Sequence, residues 1–518
     1  MTLACATVLL LAATAAAASQ QQAVEIRLKV EFGEDIGQNF GTLFETRSRD
    51  NAFVFGAGFL GVYNTHYRED RHTVHFFVRP TANGPAHTIE PLPRPSELAG
   101  AYLFSHDGRV YATGPEMRVW SDAESRWLED EPAPGGRMRV GNDQVVFHES
   151  RVECNGIVVL DAPEQGAYNR FYYAQGHLFF YHTYWAGQPG YRPYASDAEG
   201  FTKLYACPWR PADGTSVDLD QAVVKTLPFV GETPFAYGQL RDDVLTCSNI
   251  GGLYVFNGEH WRTIVEGELE TSYQIYSMVN FDNRLLMGQY PTGELFEFDG
   301  ETVTRLEGWP PPMPGVSGSA REAQSTTLYG GELYTGVWPW GELWRYHPDT
   351  KQWTFAQRMF THPRATDETV HPYERECAAL GIVANLWGQR VTSLVVDGPS
   401  LFVSTSAKSP TAWEPRFDFL TDDLWKEYGA VHRLTTPGHA SANLDWTSGP
   451  TVLSFAVSAD GLEIKQDGKL LARTELRGDA ARAAQSAREL DDPVWGNGIY
   501  GPFGGLSIEG EKAIAPSN

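Results

Sequence analysis

The sequence predicts an all-β fold, a β-propeller made of repeated four-stranded blades. One observation behind this is a short pattern of strands and turns that recurs along most of the chain. Another is the abundance of glycine (51 residues) and of aromatic residues (13%), which suits short strands and tight turns better than long helices. A hydrophobic content of 42% in 518 residues excludes global disorder and supplies a large core.

The clearest repeats are the segments 281–308 and 329–355, which both read turn, strand, glycine-containing loop, strand, turn, strand. The same order recurs at 105–130 and, more loosely, at 241–266. Apolar stretches stand between Asp, Asn and Gly turns, as antiparallel strands require. Weaker copies lie at 51–64, 141–161, 174–185 and 396–408. These eight units predict seven blades if the terminal units combine into one, and eight if they do not.

The two ends of the chain depart from the repeats. Residues 1–18 form an apolar run followed by small residues, which predicts a signal peptide and a secreted or periplasmic protein. A membrane anchor is the alternative, but the run is shorter than the roughly 20 residues that a span needs. We assign 19–437 to the propeller, with the ring beginning near Gln38, and 438–518 to a C-terminal β segment that closes or packs on it.

This C-terminal segment has its own pattern. The turns Asp460-Gly461 and Asp467-Gly468 predict two successive hairpins. The stretch 476–492 is rich in alanine and arginine and predicts one short helix.

The formal charge of −24 makes nucleic acid and anionic lipid surfaces poor partners. A polyanionic ligand would need a local basic cluster within this acidic protein. No segment after the signal peptide predicts a membrane span, and we expect a monomer. The cysteines beyond the signal peptide are compatible with one or two disulfides or with four buried thiols (Cys154, Cys207, Cys247 and Cys377). Their spacing fits no zinc pattern, so no cofactor is assigned, although a structural Ca²⁺ or Zn²⁺ is compatible with the sequence.

Propeller geometry predicts which distant residues meet. The first strand of a blade is innermost, and the loop between its second and third strands lies on the face where the first strand begins. The loops supply His148, His182, Tyr184, Gln289, Tyr290 and Trp338, and the starts of first strands supply Arg139, Arg170, Tyr273, Gln274 and Arg321. Histidines, arginines and aromatic rings together on one face predict a site for an anionic ligand. The structural alternatives are histidines bonded to turn backbone, aromatic blade packing and arginines paired with surface carboxylates.

A second histidine cluster lies at His66, His72 and His75. The spacing of His72 and His75 puts them on opposite faces of a strand, so a shared metal would require the loop to curl. A solvated hairpin is the favoured interpretation.

Two quoted stretches carry a resemblance to a known family. The mature start NFGTLFE…GAGFLGVYNTHYREDR…FFVRP and the blade LLMGQYPTGELFEFDG resemble the propeller-type ulvan lyases, polysaccharide lyase families 24 and 25. The likeness covers most of the mature chain. It implies seven blades and β-elimination at a uronic acid in an anionic polysaccharide.

The resemblance also implies roles for individual residues. A base removes the C5 proton, an acid protonates the departing glycosidic oxygen, and an arginine neutralises the carboxylate. Carried over by position, the candidates are His148 and then His182 as base, Tyr184 or Tyr237 as acid, and Arg170 or Arg321 as the neutralising cation. The family has a further histidine at the start of the next blade, where this chain reads AYNRFYY.

Two other functions fit the same sequence. One is a propeller glycoside hydrolase similar to the α-L-rhamnosidases that act on uronate-linked rhamnose. The other is a non-catalytic propeller that binds carbohydrate or protein through its aromatic rim.

Overall fold

The computed structural model describes residues 23–515 except 66–68, 83, 85, 115, 130–135, 186–198, 272, 318–319, 383–384, 409–411 and 479. The predicted signal peptide and His66 lie outside the described residues. Nine β-sheets account for most of the described chain. The predicted all-β propeller is confirmed, and the blade count stays a prediction.

The strands fall into three groups along the chain. Six strands come first: β1 (Ala23–Glu31), β2 (Thr42–Arg47), β3 (Phe53–Phe59), β4 (Val62–Asn64), β5 (Thr73–Pro80) and β6 (Thr88–Leu92). The repeats then supply β7 (Tyr102–His106), β8 (Arg109–Thr113), β9 (Arg118–Ser121), β10 (Arg126–Glu129), β11 (Gly136–Val140), β12 (Asp143–Phe147), β13 (Val152–Cys154), β14 (Ile157–Leu160), β15 (Ala167–Ala174), β16 (His177–Trp185), β17 (Gly200–Pro208), β18 (Val223–Thr226), β19 (Pro234–Leu240), β20 (Asp243–Ser248), β21 (Leu253–Phe256), β22 (Trp261–Val265), β23 (Gln274–Phe281), β24 (Arg284–Tyr290), β25 (Leu295–Phe298), β26 (Val303–Leu306), β27 (Glu322–Tyr329), β28 (Glu332–Trp338), β29 (Glu342–His347), β30 (Gln352–Arg358), β31 (Arg390–Asp397), β32 (Ser400–Ser406) and β33 (Val431–Thr435). The last group is β34 (His439–Asn443), β35 (Thr451–Ser458), β36 (Gly461–Gln466), β37 (Lys469–Thr474), β38 (Val494–Trp495) and β39 (Ser507–Ala515).

Helices are few and short: α1 (Pro372–Ala379), α2 (Asp422–Trp425) and α3 (Ala480–Ser486). The third lies in the alanine- and arginine-rich stretch, where a helix was predicted. The two predicted C-terminal hairpins are also present, as β35–β36 and β36–β37.

The propeller is built from consecutive antiparallel sheets whose first strands line a central channel. The inner strands β15, β19, β23, β27, β31 and β7 contact one another in that order. The last sheet, β31–β33, takes its outer strand from the other end of the repeats, because β6 pairs along β33 from Thr88 opposite Thr435 to Leu92 opposite Val431. This pairing joins the beginning and the end of the repeat region in one sheet.

The N- and C-terminal strands form a β-sandwich beside the propeller. One sheet has the order β37-β36-β35-β1-β39, the other β34-β5-β3-β2-β38, and their facing side chains make one apolar core. Phe44, Phe76 and Phe455 meet at its centre with ring centroids 5.3–6.3 Å apart. Such aromatic packing dominates the stability of a two-sheet core.

The sandwich corrects two details of the sequence analysis. The unit 51–64 is not a blade, because β3 is an inner strand of the sandwich between β2 and β5. The start of the range 19–437 is not propeller either, since β1 lies between β35 and β39 of the segment after residue 437. Hairpin periodicity is the same in any antiparallel sheet, so it predicted these strands without predicting their partners.

Between β3 and β5 the chain leaves the sandwich and enters the propeller channel; we call residues 60–65 the plug. Its strand β4 pairs with the inner strand β23, with Asn64 opposite Ser277. The Tyr63 ring lies 5.7 Å from that of Tyr172 and 6.0 Å from that of Tyr237, on two other inner strands. The Asn64 side-chain amide donates to the carbonyl of Gln324 (2.6 Å). The plug therefore contacts four inner strands inside the channel.

A buried polar network joins the base of the plug to the sandwich and the propeller. Asp35 accepts from Arg71 (3.0 Å) and from the amide of Gly141 (2.7 Å), and its carboxylate lies 2.8 Å from His72 Nε2. Burial acts to raise the pKa of Asp35, but Arg71 and His72 hold it well below its usual range. The predicted solvated hairpin is therefore wrong: His72 and His75 are buried, and burial lowers the pKa of His75 to about 3.

The cysteines form no disulfide in the described part of the chain. Cys154, Cys207, Cys247 and Cys377 are all free and buried, as the thiol alternative expected. Within the described ranges, no group of three or more ligating side chains could hold a metal ion. No helix in this part of the chain combines the length and apolarity needed to cross a membrane.

Candidate functional site at the channel mouth

The channel mouth opposite the sandwich is shaped by a repeated backbone irregularity. Four consecutive inner strands each contain one extra residue near their start: Phe235 in β19, Tyr276 in β23, Gln324 in β27 and Thr392 in β31. In β15 the irregularity lies between Asn169 and Tyr172. Such bulges redirect side chains and end regular pairing, which is why they are frequent next to sites.

Side chains at or beside these irregularities contact one another from blade to blade. The Arg170 guanidinium lies 5.7 Å from the centroid of the Phe235 ring. The Phe235 ring lies 5.5 Å from that of Tyr276 in an edge-to-face arrangement, and the Arg390 guanidinium lies 5.9 Å from the Tyr276 ring. We call these residues, together with Glu322 and Tyr102, the mouth ring.

The two arginines of the mouth ring differ in burial and in pairing. Arg390 is buried and donates to Oε2 of Glu322 (3.3 Å) and to the carbonyl of Lys408 (2.9 Å), and its Nη2 lies 3.0 Å from the other Glu322 oxygen in an ion pair. Glu322 is itself buried, so Arg390 compensates a carboxylate within the fold. Burial, with the Glu322 carboxylate nearby, raises the pKa of Tyr276 well above its usual range, so its phenol is neutral.

Arg170 differs from Arg390 in both respects. Its side chain is exposed and forms no ion pair with any described residue. Its backbone has φ of 56°, a left-handed conformation that costs energy for a residue with a β-carbon. An exposed, unpaired arginine held in this conformation over an aromatic ring is available to an anionic ligand.

The plug provides the floor of the mouth. Thr65 donates its backbone amide to the carbonyl of Tyr276 (3.0 Å), so the plug reaches the level of the mouth ring. We call the space bounded by the mouth ring and the plug the cup.

Two more predicted residues lie near the mouth ring. Tyr290 is half-buried at the end of β24, and burial, with Glu322 and Glu374 nearby, raises its pKa. Trp338 is 95% buried, and the ammonium of the exposed Lys408 lies 5.4 Å from its ring centroid. Trp338 is thus a packing residue that holds a surface cation.

Two predicted site residues are placed wrongly by the sequence. Arg139 points to the sandwich side, where it donates to Asp107 (2.7 Å) and contacts His72 Nδ1 (2.7 Å). It lies near the end of β11, not at its start. Tyr237 is fully buried in the channel wall, stacked on Tyr172 at 5.1 Å, and burial raises its pKa well above its usual range. It is shielded from any ligand at the mouth.

Three other predicted residues serve the fold. Arg321 is buried and pairs with Glu342 (3.2 Å), so it is not free to bind a carboxylate. The buried Gln289 accepts from the hydroxyl of Thr292 (2.6 Å) and shapes the loop after β24. Tyr273 lines a separate pocket between two blades, described below.

The predicted catalytic histidines lie on the outer side of the mouth. His148 Nε2 is 3.3 Å from a carboxylate oxygen of Glu153. His182 Nε2 is 2.7 Å from the carbonyl of Gln165, so that nitrogen donates and Nδ1 is left with its lone pair. Burial lowers the pKa of His182, which keeps the ring neutral. Tyr184 is half-buried two residues further along the same strand.

The sequence analysis missed Tyr102, Phe235, Tyr276, Glu322 and Arg390. In four of the blades the sequence does mark the position of the bulge. A small residue stands five residues before the turn that ends the inner strand: Ala236, Ser277, Ser325 and Ser393. The bulge residue precedes this small residue each time. This residue is small because it lies against the backbone of the neighbouring inner strand. Ser325 donates to the carbonyl of Val391 (2.9 Å), and Ser393 accepts from the amide of Leu103 (3.0 Å).

Among known proteins, similarity to this chain is found only at the level of solved structures. No family model and no curated protein matches the chain. Among solved structures, the chain is similar to the computationally designed Ika8 protein (12% identity, 74% of this chain and 98% of that chain, TM-score 0.33). It is also similar to the N-terminal domain of Nup159 (10%, 72% and 98%, TM-score 0.35) and to a puromycin-hydrolyzing peptidase of Mycobacterium tuberculosis (11%, 74% and 63%, TM-score 0.30). These scores carry no argument about function, and the fold assignment rests on the strand pairing.

The two arginines of the mouth ring should respond differently to truncation. Arg390→Met leaves the Glu322 carboxylate buried without its partner, so we expect the free energy of unfolding to fall by about 3–5 kcal/mol. Arg170→Met removes an exposed charge and should change it by less than about 0.5 kcal/mol. Urea unfolding of both variants measures this. Equal losses in the two would contradict the distinction between a structural and a free cation.

Proposed function

We propose that the cup at the channel mouth binds a uronate-bearing anionic polysaccharide. The observation that carries the proposal is Arg170, a cation without an ion pair among the described residues, in a chain with a formal charge of −24. Its guanidinium lies beside Phe235 at the mouth and has no carboxylate partner among the described residues. A ligand carboxylate can supply that partner through paired, charge-assisted hydrogen bonds.

The surroundings of Arg170 suit a sugar. The neighbouring Phe235 ring is half-buried and offers apolar surface to the C–H face of a pyranose, while the Arg170 guanidinium can donate to its hydroxyls. The exposed Lys408 adds a second positive charge at the rim. One uronate of the polysaccharide lies over the cup.

The binding proposal is tested with ulvan oligosaccharides. Arg170→Ala should weaken their binding by about tenfold to a hundredfold, the worth of a hydrogen-bonded charge. Arg241→Ala is the matched control, because Arg241 is also exposed, also has a positive φ (57°) and lies at the opposite end of an inner strand. Isothermal titration calorimetry provides the affinities.

The ligand needs a matched control as well. The same oligosaccharides with their uronates reduced to alcohols should bind the native protein and Arg170→Ala equally weakly. Native affinity in Arg170→Ala, or equal affinity of the native protein for reduced and unreduced ligand, would rule out the proposed role of this arginine.

A second candidate function is β-elimination by a polysaccharide lyase, for which one blade supplies the residue types. Arg170, His182 and Tyr184 lie on the adjacent strands β15 and β16, although Arg170 packs over Phe235 of the next blade whereas His182 packs against Tyr168 and Tyr205. They offer a cation for the carboxylate, a neutral imidazole with a free Nδ1 as base, and a phenol as acid. His182 is therefore a better candidate for the base than His148, which faces Glu153.

Elimination has a direct readout, because its product carries a 4,5-unsaturated uronate that absorbs in the ultraviolet. If His182 is the base, His182→Ala should lower turnover of ulvan by about two to four orders of magnitude, and His148→Ala should be close to native. Binding without any product identifies a binding module. New reducing ends without ultraviolet absorbance identify a glycoside hydrolase, and either result would exclude the lyase.

A further inference from the structure

A second concave site lies between two blades, away from the mouth ring. It is a pocket of about 310 Å³ in the seam between the sheets β19–β22 and β23–β26. Cys247, Ile250, Leu253, Ile275 and Met287 form its floor, and each is at most 3% exposed. The rings of Tyr273 and Phe296 make one wall, with their centroids 5.4 Å apart. The site is therefore a preformed apolar pocket large enough for one large side chain.

The rim of this pocket is formed by a segment in which glutamates alternate with other residues, two of them apolar. The connection after β22 reads Val265-Glu266-Gly267-Glu268-Leu269-Glu270. Val265 is 42% exposed and Leu269 39%. Glu266, Glu268 and Glu270 are exposed and form no ion pair with any described residue, although Glu268 accepts from the hydroxyl of Thr271 (3.1 Å). The described residues that line the pocket include no lysine, arginine or histidine.

The combination of an apolar floor and an uncompensated acidic rim selects one kind of ligand. An apolar side chain would gain the free energy of leaving water in the pocket. Positive charges next to it would find the rim carboxylates, and they would be attracted from a distance by the negative field of the whole protein.

We propose that this pocket docks a peptide segment that carries one large apolar side chain between lysine or arginine residues. The apolar side chain enters the seam between the two blades, and the flanking cations pair with Glu266 and Glu268. This site is independent of the polysaccharide proposal, because it shares no residue with the mouth ring.

The test uses three peptides that carry fluorescein on their N-terminal amine in a fluorescence anisotropy titration: Lys-Leu-Lys-amide, Lys-Ala-Lys-amide and Ser-Leu-Ser-amide. The first should bind at least tenfold more tightly than either of the others, because it alone has both the side chain and the charges. Equal binding of the leucine and alanine peptides would mean attraction to the acidic surface without use of the pocket. Equal binding of the two leucine peptides would show that the rim carboxylates do not contribute to binding.

Two variants locate the binding. Glu266→Lys combined with Glu268→Lys should weaken binding of the leucine peptide at least tenfold, while the exposed Glu259→Lys, at the opposite end of the same sheet, should not. Val303→Trp, which fills the pocket from β26, should also abolish the preference for leucine over alanine. Thermal melts establish that each variant is folded, and Arg170→Ala should bind the peptide normally. Native preference for leucine in both pocket variants would overturn the proposal.

Discussion

The pairing of β4 with the inner strand β23 is the interaction on which the rest of the arrangement depends. It holds a segment of the sandwich inside the propeller channel, with Tyr63 packed against two other inner strands. Without it Thr65 would not reach the backbone of Tyr276 at the level of the mouth ring. The same N-terminal stretch then returns through β5 to the sandwich and pairs as β6 with β33. One short part of the chain thus ties the sandwich, the channel and the last blade together.

This arrangement explains why the two faces of the propeller have different chemistry. On the sandwich side the charged groups pair with one another, with Asp35, His72 and Arg139 at the centre. The opposite side keeps one exposed arginine and a set of aromatic rings at the mouth. Polar groups that are already paired stabilise an interface, whereas an unpaired cation in a concave site is available for a ligand.

Much of the fold could be predicted from the sequence, and for a clear reason. Periodic apolar stretches and Asp-Gly turns such as Asp467-Gly468 report local strand pairing directly. The partners of β1, β3 and β6 could not be predicted in this way, because they come from the other end of the chain. Local periodicity contains no information about such long-range pairs.

The candidate site was predicted less well than the fold. The propeller geometry correctly brought Arg170 to the mouth face, but Arg139 failed because its strand begins three residues before it. Arg321 and Tyr237 failed because exposure is not visible in a single sequence: one is paired with Glu342 and the other lies behind the plug. Tyr276 was missed because a one-residue bulge reverses the alternation that a regular strand would have.

We infer that the ligand site is the channel mouth, with Arg170 within it. A crystal structure of the protein with an ulvan oligosaccharide tests it most directly. We predict a uronate carboxylate within about 3 Å of the Arg170 guanidinium, with a pyranose ring against Phe235. An oligosaccharide bound on the sandwich or at a blade seam, with the mouth free of sugar, would contradict the account.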